Sequence, residues 1–297
     1  MQITAHAHAK INLFLKVTGK RADGYHEIKS VFQKVTLSDI LVLSKTIDGE
    51  IVISCDDPAV PIDSGNLVAK AAHLLQSQAG AVMGATIEIK KRVPVAAGLG
   101  GGSGDAAIAI KALCGLWGVD KTDESISNIA LSIGADVPFF LGGPCAFVSG
   151  IGEKIEQLTP KKSAPLLLIN PGFGISSADA YKNSKFSFAP FEKSDEMVED
   201  IESGEPLRIA KWMENDLEPW ALATYPKLTE LKKKVEGEGA LRVMMSGSGP
   251  TLFAIYETEE LRNNALEALK DAAPFVTAVE TLIERRRAER SFSLFRF

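Results

Sequence analysis

The chain reads as an α+β protein of two domains, and three observations carry that expectation. Its 297 residues are more than one hydrophobic core usually organises. Residues 94–107, Pro-Val-Ala-Ala-Gly-Leu-Gly-Gly-Gly-Ser-Gly-Asp-Ala-Ala, set a bare loop between an alternating segment and a helical pattern. Beyond Thr159-Pro160-Lys161-Lys162, a plausible linker, the apolar segments follow the order β-α-β-β-α-β with extra helices inserted. The expected domains are therefore 1–159 and 160–297, the second of ferredoxin-like type.

In the first domain, residues 11–17 are of β type, and Asp23-Gly24 is the strongest signal of a turn over 19–24. Residues 28–35 read as the returning strand, and 40–44 and 50–54 as further strands. Residues 66–78 are helical, with Leu67, Ala71, Leu74 and Leu75 apolar. Residues 86–90 alternate as a strand does, and Ala106, Ile110, Leu113, Cys114 and Trp117 then recur at helical spacing. A helix over 124–133 stops at Gly134, and 146–148 is a strand.

In the second domain, 166–169 reads as a buried strand and 207–214 and 227–236 as helices. Strands 241–245 and 251–256 flank Ser246-Gly247-Ser248-Gly249-Pro250. Helix 259–272 and strand 276–282 complete the order. Residues 182–204 are polar and read as a mobile loop. The tail 285–297 mixes arginines with Phe292, Leu294, Phe295 and Phe297, and the sequence leaves open whether it frays or docks.

Composition narrows the function classes. A net charge of -5 argues against general nucleic-acid binding. Cys55, Cys114 and Cys145 are odd in number and widely spaced, which suits reduced thiols of a cytoplasmic protein rather than disulfides or a zinc site. The first ten residues have no apolar signal core, and no apolar run approaches the roughly 18 residues of a membrane span.

The glycine loop is either a tight flexible turn or a phosphate site. Five glycines fall in the seven residues 98–104. A bare loop that opens a helix presents free N–H groups and the positive end of the helix dipole, which suits a phosphate. It lacks the Gly-Lys-Ser/Thr ending of a Walker A loop and misses the last glycine of G-x-G-x-x-G. Lys10 and Asn12 share one face of a strand; read alone, Lys10 is a solvent-facing lysine. Asp136, in Gly134-Ala135-Asp136-Val137-Pro138-Phe139, is either a helix N-cap or a functional carboxylate. Tyr25 and His26 either flank a turn or offer a stacking face and a hydrogen bond to a base. The turn at Gly247 and Gly249, taken alone, is a hairpin.

Together these motifs resemble the GHMP kinase superfamily of small-molecule kinases. The resemblance rests on Ala9-Lys10-Ile11-Asn12-Leu13-Phe14-Leu15, Lys20-Arg21-Ala22-Asp23-Gly24-Tyr25-His26, the glycine loop, the Asp136 motif, Asn215-Asp216-Leu217-Glu218 and Met245-Ser246-Gly247-Ser248-Gly249-Pro250-Thr251. The Ala-Asp-Gly-Tyr-His element points to a branch acting on a cytidine-diphosphate sugar alcohol. The implied fold is an N-terminal domain like the second domain of ribosomal protein S5, followed by the ferredoxin-like domain.

The resemblance implies ATP-dependent phosphorylation of an alcohol, with Mg²⁺. It makes Asp136 the catalytic carboxylate and Lys10 its partner. It assigns ATP to Asn66, Pro94, Ala97, Gly98, Leu99, Gly100, Gly101, Gly102, Ser103 and Gly104, with no dedicated metal-ligand set on the chain. It stacks the cytosine between Tyr25 and Tyr181, sets His26 on the base edge, and directs Asn12 to the sugar-alcohol hydroxyls. A monomer or weak homodimer is expected. The alternatives are a GHMP kinase for homoserine or mevalonate, whose substrates carry no base to stack, and a non-catalytic binding protein of the same fold. Two positions depart from the family pattern: His8 stands where proline is usual, and Gly104 replaces a second serine.

Overall fold

A computed structural model describes residues 1–79, 83–119 and 122–284. The tail 285–297 lies outside them. β1 (Gln2–Lys20) and β2 (His26–Thr46) form a long antiparallel hairpin. Its turn has Gly24 at φ +91°, and Tyr25 N–H donates to Asp23 Oδ1 at 3.1 Å. β3 (Ile51–Cys55), α1 (Leu67–Ala79) and β4 (Gly84–Lys90) form a parallel β-α-β unit, with β4 antiparallel to β2. α2 (Gly101–Trp117), α3 (Asp123–Ile133) and α4 (Val137–Leu141) follow. The helices cover the sheet through a core that includes Leu41, Leu43, Ile87, Ile110, Leu113 and Trp117. β5 (Cys145–Gly150) pairs with the first half of β2, and β6 (Lys154–Leu158) pairs with β5.

The second sheet starts at β7 (Pro165–Asn170). Then come α5 (Ser177–Asn183), α6 (Asp195–Ser203), α7 (Pro206–Trp212), β8 (Glu214–Asn215), α8 (Glu218–Thr224), α9 (Pro226–Glu236), β9 (Arg242–Met245), β10 (Leu252–Ile255), α10 (Glu259–Leu269) and β11 (Phe275–Glu280). The strand order is β11-β7-β10-β9 with every pair antiparallel, the ferredoxin-like arrangement that the element order predicts. The short β8 leaves this half and runs parallel to β1 in the first sheet. Ile11, Leu13 and Val31 from the first sheet share a core with Leu166, Leu168 and Phe253 from the second. The two sheets therefore grip one seam, where most of the site residues expected from the sequence lie.

Two expectations change. The strands expected at 28–35 and 40–44 are one strand, because Ser38 and Asp39 stay in register with His8 and Ala7 across the intervening polar residues. The loop expected over 182–204 contains α6. Ser194 caps it by accepting from Met197 N at 3.2 Å, Gly204 ends it at φ +72°, and Met197 and Ile201 are buried. Its charged outer face hid a narrow apolar stripe.

Candidate active site

A cleft of about 1150 Å³ opens along the seam. Of the residues singled out from the sequence, Lys10, Asn12, Tyr25, His26, Asn66, Asp136, Tyr181 and the loop from Pro94 to Ser103 contribute to its wall. Gly104 does not.

Lys10 and Asn12 come from the middle of β1, between two shifts in its register with β2, at His8/Lys10 and Asn12/Phe14. Such irregularities re-aim side chains. There Lys10 N–H donates to Leu99 O at 2.9 Å, tying the strand to the glycine loop. The Lys10 ammonium is buried, 4.2 Å above the centre of the Phe32 ring. It donates to Asn12 Oδ1 at 2.7 Å and lies 3.4 Å from Asp136 Oδ2. Asn12 Nδ2 donates to Ser30 Oγ at 3.0 Å, so Asn12 holds Lys10 from behind. Asp136 directly precedes α4, and among the described residues its side chain makes no capping hydrogen bond. The capping alternative therefore falls away. Its carboxylate is 32% exposed and opens into the cleft beside a lysine side chain only 6% exposed.

The glycine loop climbs from β4 and turns into α2 at Gly100, where φ is +68° and no side chain among the described residues caps the helix. The first backbone N–H groups of a helix have no partner within it, so those of Gly101, Gly102 and Ser103 are available at the cleft wall. Gly98 and Gly100 carry the left-handed conformations; Gly101 does not. Gly104 differs from its neighbours in the loop. Its N–H is taken by Gly100 O at 2.9 Å, and a Cβ there would face His8 O at 3.1 Å and Phe140 rather than the cleft.

At the opposite end, Tyr25 is 60% exposed on the hairpin turn. His26 stacks on Tyr181 with ring centres 5.3 Å apart, and Phe186 meets His26 edge-on at 5.3 Å. Burial, then the charge of Lys20, lowers the His26 pKa, which favours a neutral imidazole. Burial, then the Asp136 charge, pushes the Tyr181 phenol up, so it stays a neutral hydroxyl. Asn66 lines the cleft, yet its Oδ1 accepts from Val68 N at 2.8 Å and its Nδ2 donates to Pro61 O at 2.6 Å. It caps α1 and keeps one amide hydrogen for another partner.

Sequence reasoning missed several wall residues. Ser177 and Ser248 share a hydrogen bond at 2.8 Å at the cleft, and Lys91 and Asp105 lie beneath the loop. Asn215 belongs to a quoted motif but had no role. Its Nδ2 holds Met245 O at 2.7 Å and Gly247 O at 2.8 Å, which fixes the second glycine turn against the first. Among the described residues no group of three or more His, Cys, Asp or Glu side chains could hold a metal, and no helix is long and apolar enough to cross a membrane.

Comparison with known proteins adds to this geometry. The family model described as the GHMP kinases N terminal domain matches residues 66–144, and that described as GHMP kinases C terminal matches 197–274. A 4-diphosphocytidyl-2-C-methyl-D-erythritol kinase from Pelotomaculum thermopropionicum is 43% identical over 257 residues, spanning 86% of this chain and 89% of that protein. A kinase of the same name from Thermoanaerobacter pseudethanolicus is 40% identical over 283 residues, spanning 95% and 96%. The crystal structure of a 4-(cytidine 5'-diphospho)-2C-methyl-D-erythritol kinase matches with a TM-score of 0.79 at 32% identity, over 94% of this chain and 99% of that one.

Proposed function

We propose that this chain, which belongs to the GHMP kinase family, transfers the γ-phosphoryl group of ATP to the 2-hydroxyl of 4-diphosphocytidyl-2-C-methyl-D-erythritol. One observation carries the reading. The Lys10–Asp136 pair, the uncapped start of α2 and the Tyr25–His26–Tyr181 aromatic group share one cleft.

Phosphoryl transfer asks for positioning and charge stabilisation more than for covalent chemistry. The triphosphate lies on the N–H groups of the glycine loop and the first turn of α2. The cytosine stacks on the tyrosines, with the neutral His26 imidazole on its edge. The remaining amide hydrogen of Asn12 meets the sugar-alcohol hydroxyls. Asp136 orients the 2-hydroxyl in line with the γ-phosphorus. As the new O–P bond forms and the bond to the ADP oxygen breaks, Asp136 takes the hydroxyl proton. Lys10 keeps positive charge beside the reacting oxygens.

Mg²⁺ would fit this donor set as the nucleotide's own ion, and the Ser103 hydroxyl would be the protein group nearest to hand for it, because Mg²⁺ needs few protein ligands when phosphates supply the rest. When bound it supplies charge neutralisation on the phosphates.

The test is ADP release with the cytidylyl alcohol, homoserine and mevalonate as acceptors. Turnover is expected with the first alone. Comparable turnover of homoserine or mevalonate would overturn the substrate assignment and leave the kinase reading standing.

A further inference from the structure

Lys34, on β2, is a buried ammonium, only 9% exposed, and no carboxylate among the described residues lies within ion-pair distance of it. Its Nζ donates to Phe140 O at 3.1 Å and to Gly142 O at 2.9 Å. Lys111, from α2, donates its Nζ to Leu141 O at 2.6 Å. Three successive carbonyls at the C-terminal end of α4 are thus held by two lysines from two different elements. Burial, and then the charge of Lys111, lower the Lys34 pKa to about 8. An ammonium placed among the Phe139 and Phe140 rings without a counter-ion is a poor investment in stability.

The helix they hold carries two parts of the site. Asp136 directly precedes α4, and at the other end Phe140 lies against the glycine loop, where a Cβ on Gly100 would stand 2.8 Å from Phe140 Cζ. α4 has five residues, far below the roughly 12–15 at which an isolated helix sustains itself. Its position therefore depends on what holds it from outside. Cations at its C-terminal end also complement the negative end of the helix dipole there.

We propose that Lys34, supported by Lys111, is a positioning residue for phosphoryl transfer, fixing the distance between Asp136 and the glycine loop by holding the C-terminal carbonyls of α4. The proposal rests on the reading of Asp136 as the group that meets the acceptor hydroxyl.

The test compares Lys34→Met, Lys111→Met and Asp136→Asn, each assayed with ATP and the cytidylyl alcohol. Small misplacements of reacting groups cost up to about a hundredfold in rate. Lys34→Met should lower kcat by about tenfold or more, and Lys111→Met by about threefold or more. Both Michaelis constants should stay within about threefold of wild type. A merely structural role would shift the thermal midpoint and leave the kcat of the folded enzyme unchanged; that result overturns the proposal. If Lys34→Met does not fold, Lys111→Met decides, since its side chain lies at the surface. An unchanged kcat there is equally fatal. Inactive Asp136→Asn beside fully active lysine variants rejects the positioning role alone. Active Asp136→Asn rejects the reading of Asp136 and the proposal with it.

Discussion

Gly98 lies directly against Ser246: a Cβ on Gly98 would stand 2.1 Å from the Ser246 carbonyl oxygen, and Ser246 Oγ donates to Gly98 O at 2.9 Å. The two glycine turns, one from each half of the chain, close on each other, and Thr251 N–H adds a bond to Ala97 O at 3.3 Å. Gly98 also has φ +75°. Gly98→Ala should therefore lower the thermal midpoint of the free protein, the left-handed conformation alone costing about 1–2 kcal/mol. Gly102→Ala should not, because its Cβ would meet only Leu67 Cδ1, at 3.6 Å. Thermal unfolding of both variants without nucleotide checks this; equal midpoints would contradict the contact between the turns.

Gly104→Ser introduces the serine usual in the family, and on the sequence alone it should match or tighten ATP binding. The structure reverses the expectation. The new Cβ presses on His8 O at 3.1 Å and on Phe140, and the hydroxyl starts on the side away from the cleft. ATP affinity should not improve and the midpoint should fall. Isothermal titration showing tighter binding would place the Gly104 side of the helix back in the nucleotide site.

Tyr25→Ala, Tyr181→Ala and His26→Ala should raise the Michaelis constant for the cytidylyl alcohol and spare that for ATP. Base stacking is worth roughly 1–3 kcal/mol per aromatic, which is about five- to 150-fold in affinity. Tyr25, at 60% exposure, can be removed with little effect on the fold. His26→Ala should also relax the preference for cytosine over uracil. A lowered midpoint with unchanged cytosine preference would return these residues to a structural role.

Asp105 gives a pH dependence of stability. Lys91 Nζ donates to Asp39 Oδ2 at 2.5 Å and to Asp105 Oδ2 at 3.0 Å, and Asp39 Oδ1 accepts from Arg92 N and Val93 N, while Asp105 Oδ1 has no partner among the described residues. Burial above all, with the Asp39 charge adding to it, raises the Asp105 pKa from 3.8 to about 7. The folded state therefore binds this proton more tightly than the unfolded chain. That stabilisation is complete below the ordinary carboxyl range and is lost as pH rises through about 7. The wild-type midpoint should fall between about pH 4 and 7 and level off above that, and Asp105→Asn should flatten that slope. An identical slope in the variant would contradict the assignment.

The legible features were local ones. The glycine loop announces itself in consecutive residues, and the ferredoxin-like half follows from the order of its apolar segments. The long β2 was harder, because Ser38 and Asp39 interrupt its apolar pattern, Asp39 for a reason set by a distant partner, Lys91. α6 was readable in principle from Ser194 and Gly204, but its polar composition outweighed those caps. The bond from Lys10 N–H to Leu99 O spans most of the first hundred residues, and no spacing rule foretells it. The family resemblance gathered Lys10 and Asp136 into one site; periodicity alone left each with an ordinary alternative.

The most direct test of the account is turnover of Asp136→Asn at saturating ATP and cytidylyl alcohol, with ATP binding measured on the same sample. Asn preserves the shape of the side chain, and Asp136 makes no capping hydrogen bond among the described residues, so the fold and nucleotide affinity should hold near wild type while turnover is lost. A variant that keeps more than about a tenth of wild-type turnover, a barrier change under about 1.4 kcal/mol, would show that the carboxylate beside Lys10 is not the group that meets the reacting hydroxyl.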